Sequence, residues 1–378
     1  MDDSSLQTNN QIISNNLNPI NYRFKDFDLA RGIAIVFMIL QHSFWVFGKY
    51  PTSNLFDSII IEIAISLGGF SAPVFMILMG LFFGFKKENS VKYGLLRGIK
   101  LICLGYVLNI FRFVLPFSIG TELMLIDYPV LFEGFSSPIW EIFFLDILQF
   151  AGLALIILTL IEKYCRENEL YSFIIAMLAI FLALFSSFFI TNSPLDFFLE
   201  YFWSNSGFPL FPTLFYPIIG LIIGQRLKKS DFMKNNIIEK IQFHAFIFTL
   251  IVILTAGFVV FFLISFFIIQ LELSITLELT ERVFLTPCLM LLFFLIIFPL
   301  CNIIVRERSK NPAFNYIYFL SKHITVIYVI QWILIGWGVL IFKVQLYSAM
   351  LCALLFFFIM FLTSALSFFY VKTKTIFT

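Results

Sequence analysis

Ten apolar runs, each near 20 residues and unbroken, decide what this chain can become. They lie near 27–50, 57–85, 94–116, 139–162, 171–190, 208–227, 241–270, 281–304, 321–342 and 346–371. A helix rises 1.5 Å per residue, so about 20 residues cross a hydrocarbon layer of about 30 Å. Lipid offers backbone amides and carbonyls no hydrogen-bond partner, which leaves helices and closed barrels as the structures that span. Barrel strands alternate apolar and polar residues; these runs are continuous, and that selects helices. With 60% hydrophobic, 19% aromatic and only 13% charged residues, lipid is the expected solvent. The expected fold class is all-α: a polytopic membrane helix bundle of about ten transmembrane helices.

The few charges carry topology. Of the 25 lysines and arginines, 19 fall in alternate segments that hold Arg23, Lys86, Lys163, Lys228, Arg306 and Lys372 with their neighbours. The intervening segments hold Lys49, Arg112, Arg282 and Lys343. Basic loops stay in the cytoplasm, so the expected arrangement is N-in/C-in. A net charge of +2, spread in short clusters, gives no surface for nucleic acid. The five cysteines have neither disulfide nor metal-site spacing, and no metal is expected. Residues 1–26, rich in Asn, Gln and Ser, read as a disordered cytoplasmic tail without an apolar signal segment. Residues 27–372 then form a single transmembrane domain, with long acidic and aromatic outer loops at 117–138 and 191–207.

Ionisable side chains inside spans cost roughly 2.5–3.5 kcal/mol each on insertion scales, so each marks a candidate site. Asp28 and Arg31 share a face of the first span, and His42 lies eleven residues, about three turns or 16 Å, beyond Arg31 on the same stripe. Asn109 of the third span and Asp146 of the fourth sit at the depth of His42, and Arg112 and Gln149 follow them on the same faces. A carboxylate at imidazole depth orients a histidine and raises its basicity. The expected cluster is therefore His42, Asp146, Asn109, Gln149 and Arg112 around a cavity. The alternatives are an interhelical hydrogen bond for His42 and a structural Arg112–Asp146 ion pair. His244, beside an inner loop, reads as interfacial, and Gly80 with Gly84 as a small-xxx-small packing pair.

The segment DFDLARGIAIVFMILQH, residues 26–42, resembles the opening helix of the transmembrane acyltransferases, with its Asp, Arg-Gly and final His. Similar blocks follow in order: GGFSAPVFMILMG at 68–80, LRGIKLICLGYVLN at 96–109, FFLDILQFAGLAL at 143–155, FPLFPTLFYPIIGLIIGQRL at 208–227 and FLSKHITVIYVIQW at 319–332. The branch it most resembles is the heparan-alpha-glucosaminide N-acetyltransferase-like proteins, with their many bacterial members. That resemblance implies an enzyme of a bacterial inner membrane that moves an acetyl group from cytoplasmic acetyl-CoA, as co-substrate, to a sugar or glycan acceptor on the outer side. It implies that Arg31, Lys322 and His323 hold CoA phosphates, with Arg97 and Lys100 as further cations. It also makes His42 the general base or acylated nucleophile, Asp146 its orienting carboxylate and Asn109 an oxyanion donor. Arg112, Gln149 and Trp203 are assigned to the substrate, Trp203 with Tyr201 and Phe208 as a sugar platform. A homo-oligomer is compatible with the sequence. The chain departs from its relatives at Gln331, where many have a second His, at Thr213, where an aromatic residue is common, and at Lys322 in place of Arg.

Two other readings stand beside this one. The related polysaccharide and lipid O-acyltransferases share the Arg-to-His first helix and differ in later blocks. A transporter of a small acyl-bearing molecule would use the polar cluster as its substrate or proton site. Acetyl-CoA bound but never consumed distinguishes the transporter from both enzymes.

Overall fold

In hydrocarbon the chain has to close its own backbone hydrogen bonds, and the computed structural model does so almost wholly with helices. It describes residues 25–49, 54–85, 90–126, 137–165, 169–183, 208–229 and 312–377. In chain order the described helices are α1 (Lys25–Phe47), α2 (Leu55–Gly69), α3 (Ser71–Phe85), α4 (Val91–Asn109), α5 (Leu115–Glu122), α6 (Ile147–Cys165), α7 (Glu169–Ala183), α8 (Leu210–Thr213), α9 (Phe215–Lys229), α10 (Pro312–Lys322), α11 (Ile324–Phe342) and α12 (Ala349–Phe377). A π-helical turn, Ile110–Val114, joins α4 to α5, and a 3₁₀ turn, Pro138–Phe143, precedes α6.

Seven helical segments among the described residues are long and apolar enough to cross a membrane: Lys25–Phe47, Leu55–Phe85, Val91–Glu122, Pro138–Cys165, Leu210–Lys228, Ile324–Phe342 and Ala349–Lys374. Of the expected span at 171–190, residues 171–183 belong to the apolar helix α7 and 184–190 lie outside the described residues. Those at 241–270 and 281–304 lie outside the described residues, as do Trp203, Tyr201 and His244.

Among the described residues two large apolar clusters hold the bundle, and a small third one, Leu29, Ala30 and Phe314, joins α1 to α10. One of the large clusters joins α3, α6, α7 and α9 through residues such as Ile77, Leu81, Leu158, Ile218 and Leu221. The other joins α1, α2, α11 and α12 through Ile39, Phe47, Ile61, Ile335 and Cys352. Where α3 packs on α9, glycine stands on both sides. A Cβ on Gly80 would collide with Pro217 O, and one on Gly84 would lie 2.5 Å from Leu221 O. Gly220 and Gly224 of α9 meet Ile77 O and Leu81 O of α3 in the same way. The packing role read for Gly80 and Gly84 is thus completed by a second small-xxx-small pair. Near the α3–α9 contact, Gln225 Nε2 donates to the buried Glu162 Oε2 of α6.

The far end of α1 is tied to the α11–α12 connection by backbone bonds: Gln345 N–H donates to Val46 O at 3.0 Å, Tyr347 N–H to Phe47 O at 3.1 Å and Lys49 N–H to Tyr347 O at 3.0 Å. Asp57 Oδ1 accepts from Ala349 N–H at 3.2 Å, which occupies a donor that the first turn of α12 leaves open. These bonds set the depth of α11 against α1, and with it the height at which their polar side chains meet.

Candidate active site

The fourth span is not the continuous helix its apolar sequence suggests. After Pro138–Phe143 the backbone at Phe144 turns extended (ψ 122°), and α6 starts at Ile147. Asp146 is therefore the cap of α6. Its Oδ1 accepts from Ile147 N–H at 2.7 Å, and Gln149 Oε1 reaches back to the Asp146 N–H at 3.3 Å, as a capping box does. The break frees the carbonyls of Ile142 and Phe144, which lipid cannot satisfy. Asn109 Nδ2 donates to both, at 2.8 and 2.7 Å, and Gln149 Nε2 donates to Phe144 O at 3.2 Å.

Arg112 lies in the π turn, a widened segment that is frequent at functional sites. It is 1% exposed. Its guanidinium donates to Asp146 Oδ2 through Nη1 and to Asn109 Oδ1 through Nε and Nη2, at 3.1 and 2.7 Å. Its flat face lies 4.3 Å from the Phe113 ring centroid and 4.6 Å from that of Trp332. The Tyr328 hydroxyl donates to the same Asp146 oxygen that Arg112 holds. A buried carboxylate thus receives two side-chain donors and one backbone donor, and the buried cation is paired, which is what low-dielectric burial of both charges requires.

His42 makes a different connection from the expected one. Its Nδ1 is hydrogen-bonded to the amide of Gln331, and its ring lies 4.3 Å, centroid to centroid, from Trp332. Asp146 acts on it through space, as does Arg112, and touches it through no hydrogen bond. The carboxylate expected to orient His42 is occupied by Arg112, Tyr328 and the start of α6. Asn109 likewise has both amide hydrogens committed to carbonyls, so its geometry is that of a brace for the helix break rather than a donor to an oxyanion. Tyr328, Gln331 and Trp332 were not among the expected site residues. Their signal in the sequence is spacing: three polar-tipped residues at i, i+3 and i+4 on one face of the otherwise apolar α11.

A cavity of about 580 Å³ leads towards this cluster. Its mouth, at the N-terminal end of α1, holds Arg31, Arg97 and Lys322, and its walls are aromatic and apolar, with Phe75, Met79 and Phe82. Arg31 lies 4.5 Å from the Phe82 ring centroid and 4.0 Å from Asp28 Oδ1, which also accepts from Ser321 Oγ at 2.9 Å. At its other end the cavity reaches Met38, Leu148 and Tyr328. Met38 is four residues before His42 and Tyr328 four before Trp332, so the lining ends one helical turn, about 6 Å, short of the histidine. His323 does not line the cavity: it stands between α10 and α11 with its ring 5.0 Å from that of Phe319. Lys100 is exposed outside the lining, and Phe208 packs partly buried against the α3–α9 cluster. Among the described residues no three His, Cys, Asp or Glu side chains converge as a metal site would need.

The sequence model of a family described as an acyltransferase domain matches residues 24–371. The chain belongs to the acyltransferase domain family. The match contains every residue of the polar cluster and of the cavity mouth, so the acyltransferase domain is the whole helical bundle and the activity is that of a membrane-embedded transferase. No curated protein matches the chain.

Proposed function

We propose that this acyltransferase takes an acetyl group from cytoplasmic acetyl-CoA and delivers it to a hydroxyl or amine of a sugar or glycan acceptor at the outer face, as heparan-alpha-glucosaminide N-acetyltransferase-like proteins do. One observation carries the reading: an apolar cavity with three cations at its mouth ends one turn from a histidine. A CoA thioester has that polarity, polyanionic at one end and uncharged at the other. Arg31, Arg97 and Lys322 meet the phosphates at the cytoplasmic end, where charge and reach suffice. The pantetheine arm then runs between Phe75, Met79 and Phe82, bringing the thioester towards Met38 and Tyr328.

From there the chemistry is a balanced acyl transfer. His42 removes a proton from the acceptor, whose oxygen or nitrogen forms a bond to the thioester carbon. The carbon–sulfur bond breaks, and the departing thiolate takes the proton back from the imidazolium. His42 as an acylated nucleophile reaches the same products in two steps, the acetyl group resting on the ring between them. Asp146, Asn109 and Gln149 fix the start of α6, and Trp332 forms the floor under the imidazole, with the Arg112 guanidinium 4.6 Å from the Trp332 ring centroid. This reading sets the enzyme in a bacterial inner membrane with about ten spans and both termini in the cytoplasm.

The decisive experiment incubates the detergent-purified protein with radiolabelled acetyl-CoA. Saturable binding with slow loss of the acetyl group is expected in the wild type. His42→Ala is expected to lower that loss by about 10²–10⁴-fold, the usual contribution of a positioned base, with binding retained. Arg31→Ala is expected to weaken binding first. Equal turnover in the His42 variant overturns the assignment; binding without any turnover favours a transporter of an acyl-bearing molecule.

A further inference from the structure

Gln331 is wholly buried, and among the described residues its hydrogen-bond partner is His42 alone. Its amide is used on one side: Oε1 is shut away from solvent with no donor among the described residues to accept from. A glutamine kept for fold stability would satisfy both ends, and a leucine of similar size would avoid the desolvation altogether. Gln149, equally buried, does satisfy both, with Nε2 on Phe144 O and Oε1 on Asp146 N–H. The neighbours of Gln331 on α11 have their own tasks: Tyr328 is spent on Asp146 and Trp332 supplies the surface against which the imidazole lies. What remains unexplained is an amide placed on one ring nitrogen of the histidine that the proposed chemistry uses.

We propose that Gln331 is the positioning residue of His42: it holds the imidazole against Trp332 and selects its tautomer, the task the sequence assigned to Asp146. The inference rests on the acyl-transfer reading for its purpose and on geometry for its content. An amide can meet Nδ1 with either end. With the carbonyl towards Nδ1–H, Nε2 is left bare and able to remove the acceptor's proton; with the amino group towards a bare Nδ1, Nε2 carries the hydrogen. The carbonyl-to-Nδ1–H arrangement serves both halves of the transfer, since Nδ1 keeps its hydrogen while Nε2 gains and then loses the acceptor's proton. A carboxylate would hold the same tautomer and would in addition stabilise the imidazolium. The charged groups acting on His42 are Asp146, at the start of α6, and Arg112, in the π turn; they are bonded to each other and so oppose one another at the ring.

The test uses the full chain in lipid nanodiscs with ¹⁵N-labelled histidine. Three histidines are present, and the His42 resonances are those lost in His42→Ala. The wild type is expected to give one dominant tautomer at His42. Gln331→Leu is expected to give a mixture of both and to lower acetyl turnover at least about tenfold, with half-saturation for acetyl-CoA unchanged, because the general base survives but spends less time correctly placed. Gln331→Glu offers only acceptors; it is expected to lock Nδ1–H and to move the acid limb of the rate profile to higher pH, since a carboxylate there stabilises the imidazolium. An unaltered tautomer in Gln331→Leu overturns the proposal, whatever happens to the rate. So does a rate loss in Gln331→Leu that Gln331→Glu fails to restore while both variants still bind acetyl-CoA. If the wild type turns nothing over, the acyl-transfer reading fails while the resonances still decide the role of Gln331.

Discussion

At the scale of single residues, the Arg112–Asp146 pair shows why burial of charge is tolerable here. Taking either ion alone out of water costs several kcal/mol, and the pair repays this only with its remaining valences filled. Asn109 fills those of Arg112, while Tyr328 and the Ile147 N–H fill those of Asp146. Removing one partner strands the other. Arg112→Leu and Asp146→Leu are each expected to lower stability by about 3–5 kcal/mol, and the double substitution by clearly less than their sum. Unfolding of the four proteins in one detergent checks this, and additive losses would count against a shared network. Tyr328→Phe removes a single hydrogen bond to a charged group, expected to cost roughly 1.5–3 kcal/mol with the fold retained. Because Tyr328 also closes the inner end of the cavity, the same variant tests whether that wall matters to turnover.

At the scale of elements, glycine fixes how near the helices come. Replacing Gly80 by Ala raises helix propensity by up to about 1 kcal/mol. The new methyl group, however, meets Pro217 O and the Leu221 amide, backbone atoms that cannot swing aside. Overpacking of that kind costs about 1–3 kcal/mol, so Gly80→Ala and Gly220→Ala are both expected to lower the melting temperature despite better propensity. A rise would mean that α3 and α9 have room to part. Gly105 on α4 has a more local task. A Cβ there would lie 2.5 Å from Gln149 Cδ, so Gly105→Ala is expected to displace the side chain that braces Phe144 O and caps α6. Turnover should fall more than stability, which a comparison of rate with melting temperature reads directly. The π turn belongs to the same scale. It carries Arg112 to Asp146, and Gly336 of α11 lets that helix pack against the Arg112 backbone.

Over the whole molecule, the apolar exterior and the basic end together describe a protein that lipid holds in one orientation. Leu354, Phe357, Phe358, Phe361, Phe368 and Phe369 on α12 are exposed, a surface stable only against acyl chains. The cavity mouth lies at the end where Arg31, Arg97 and Lys322 gather. In a cysteine-free background, Lys163→Cys and Lys374→Cys are expected to resist a membrane-impermeant maleimide added from outside, and Lys49→Cys and Lys343→Cys to react with it. The reverse pattern would put the cavity mouth outside and remove cytoplasmic CoA as the donor.

The sequence by itself determined that the chain crosses lipid as helices, because unbroken apolar runs of bilayer length admit no other way to satisfy the backbone. It also determined which residues are out of place, since depth along a helix follows from counting: His42, Asn109, Arg112, Asp146 and Gln149 were legible at one level. Partnership was not. The run FFLDIL reads as one apolar helix, and only packing reveals that the backbone breaks before Ile147, with its loose carbonyls caught by Asn109 from more than 30 residues away. Counting likewise places Asp146 level with His42 but leaves open the rotation of each helix and the helix that stands between. The tertiary structure decided that α11 stands there, giving Tyr328 to Asp146 and Gln331 to His42. Rotation and neighbourhood are set by the close packing of many side chains at once, and no local pattern in the chain records them.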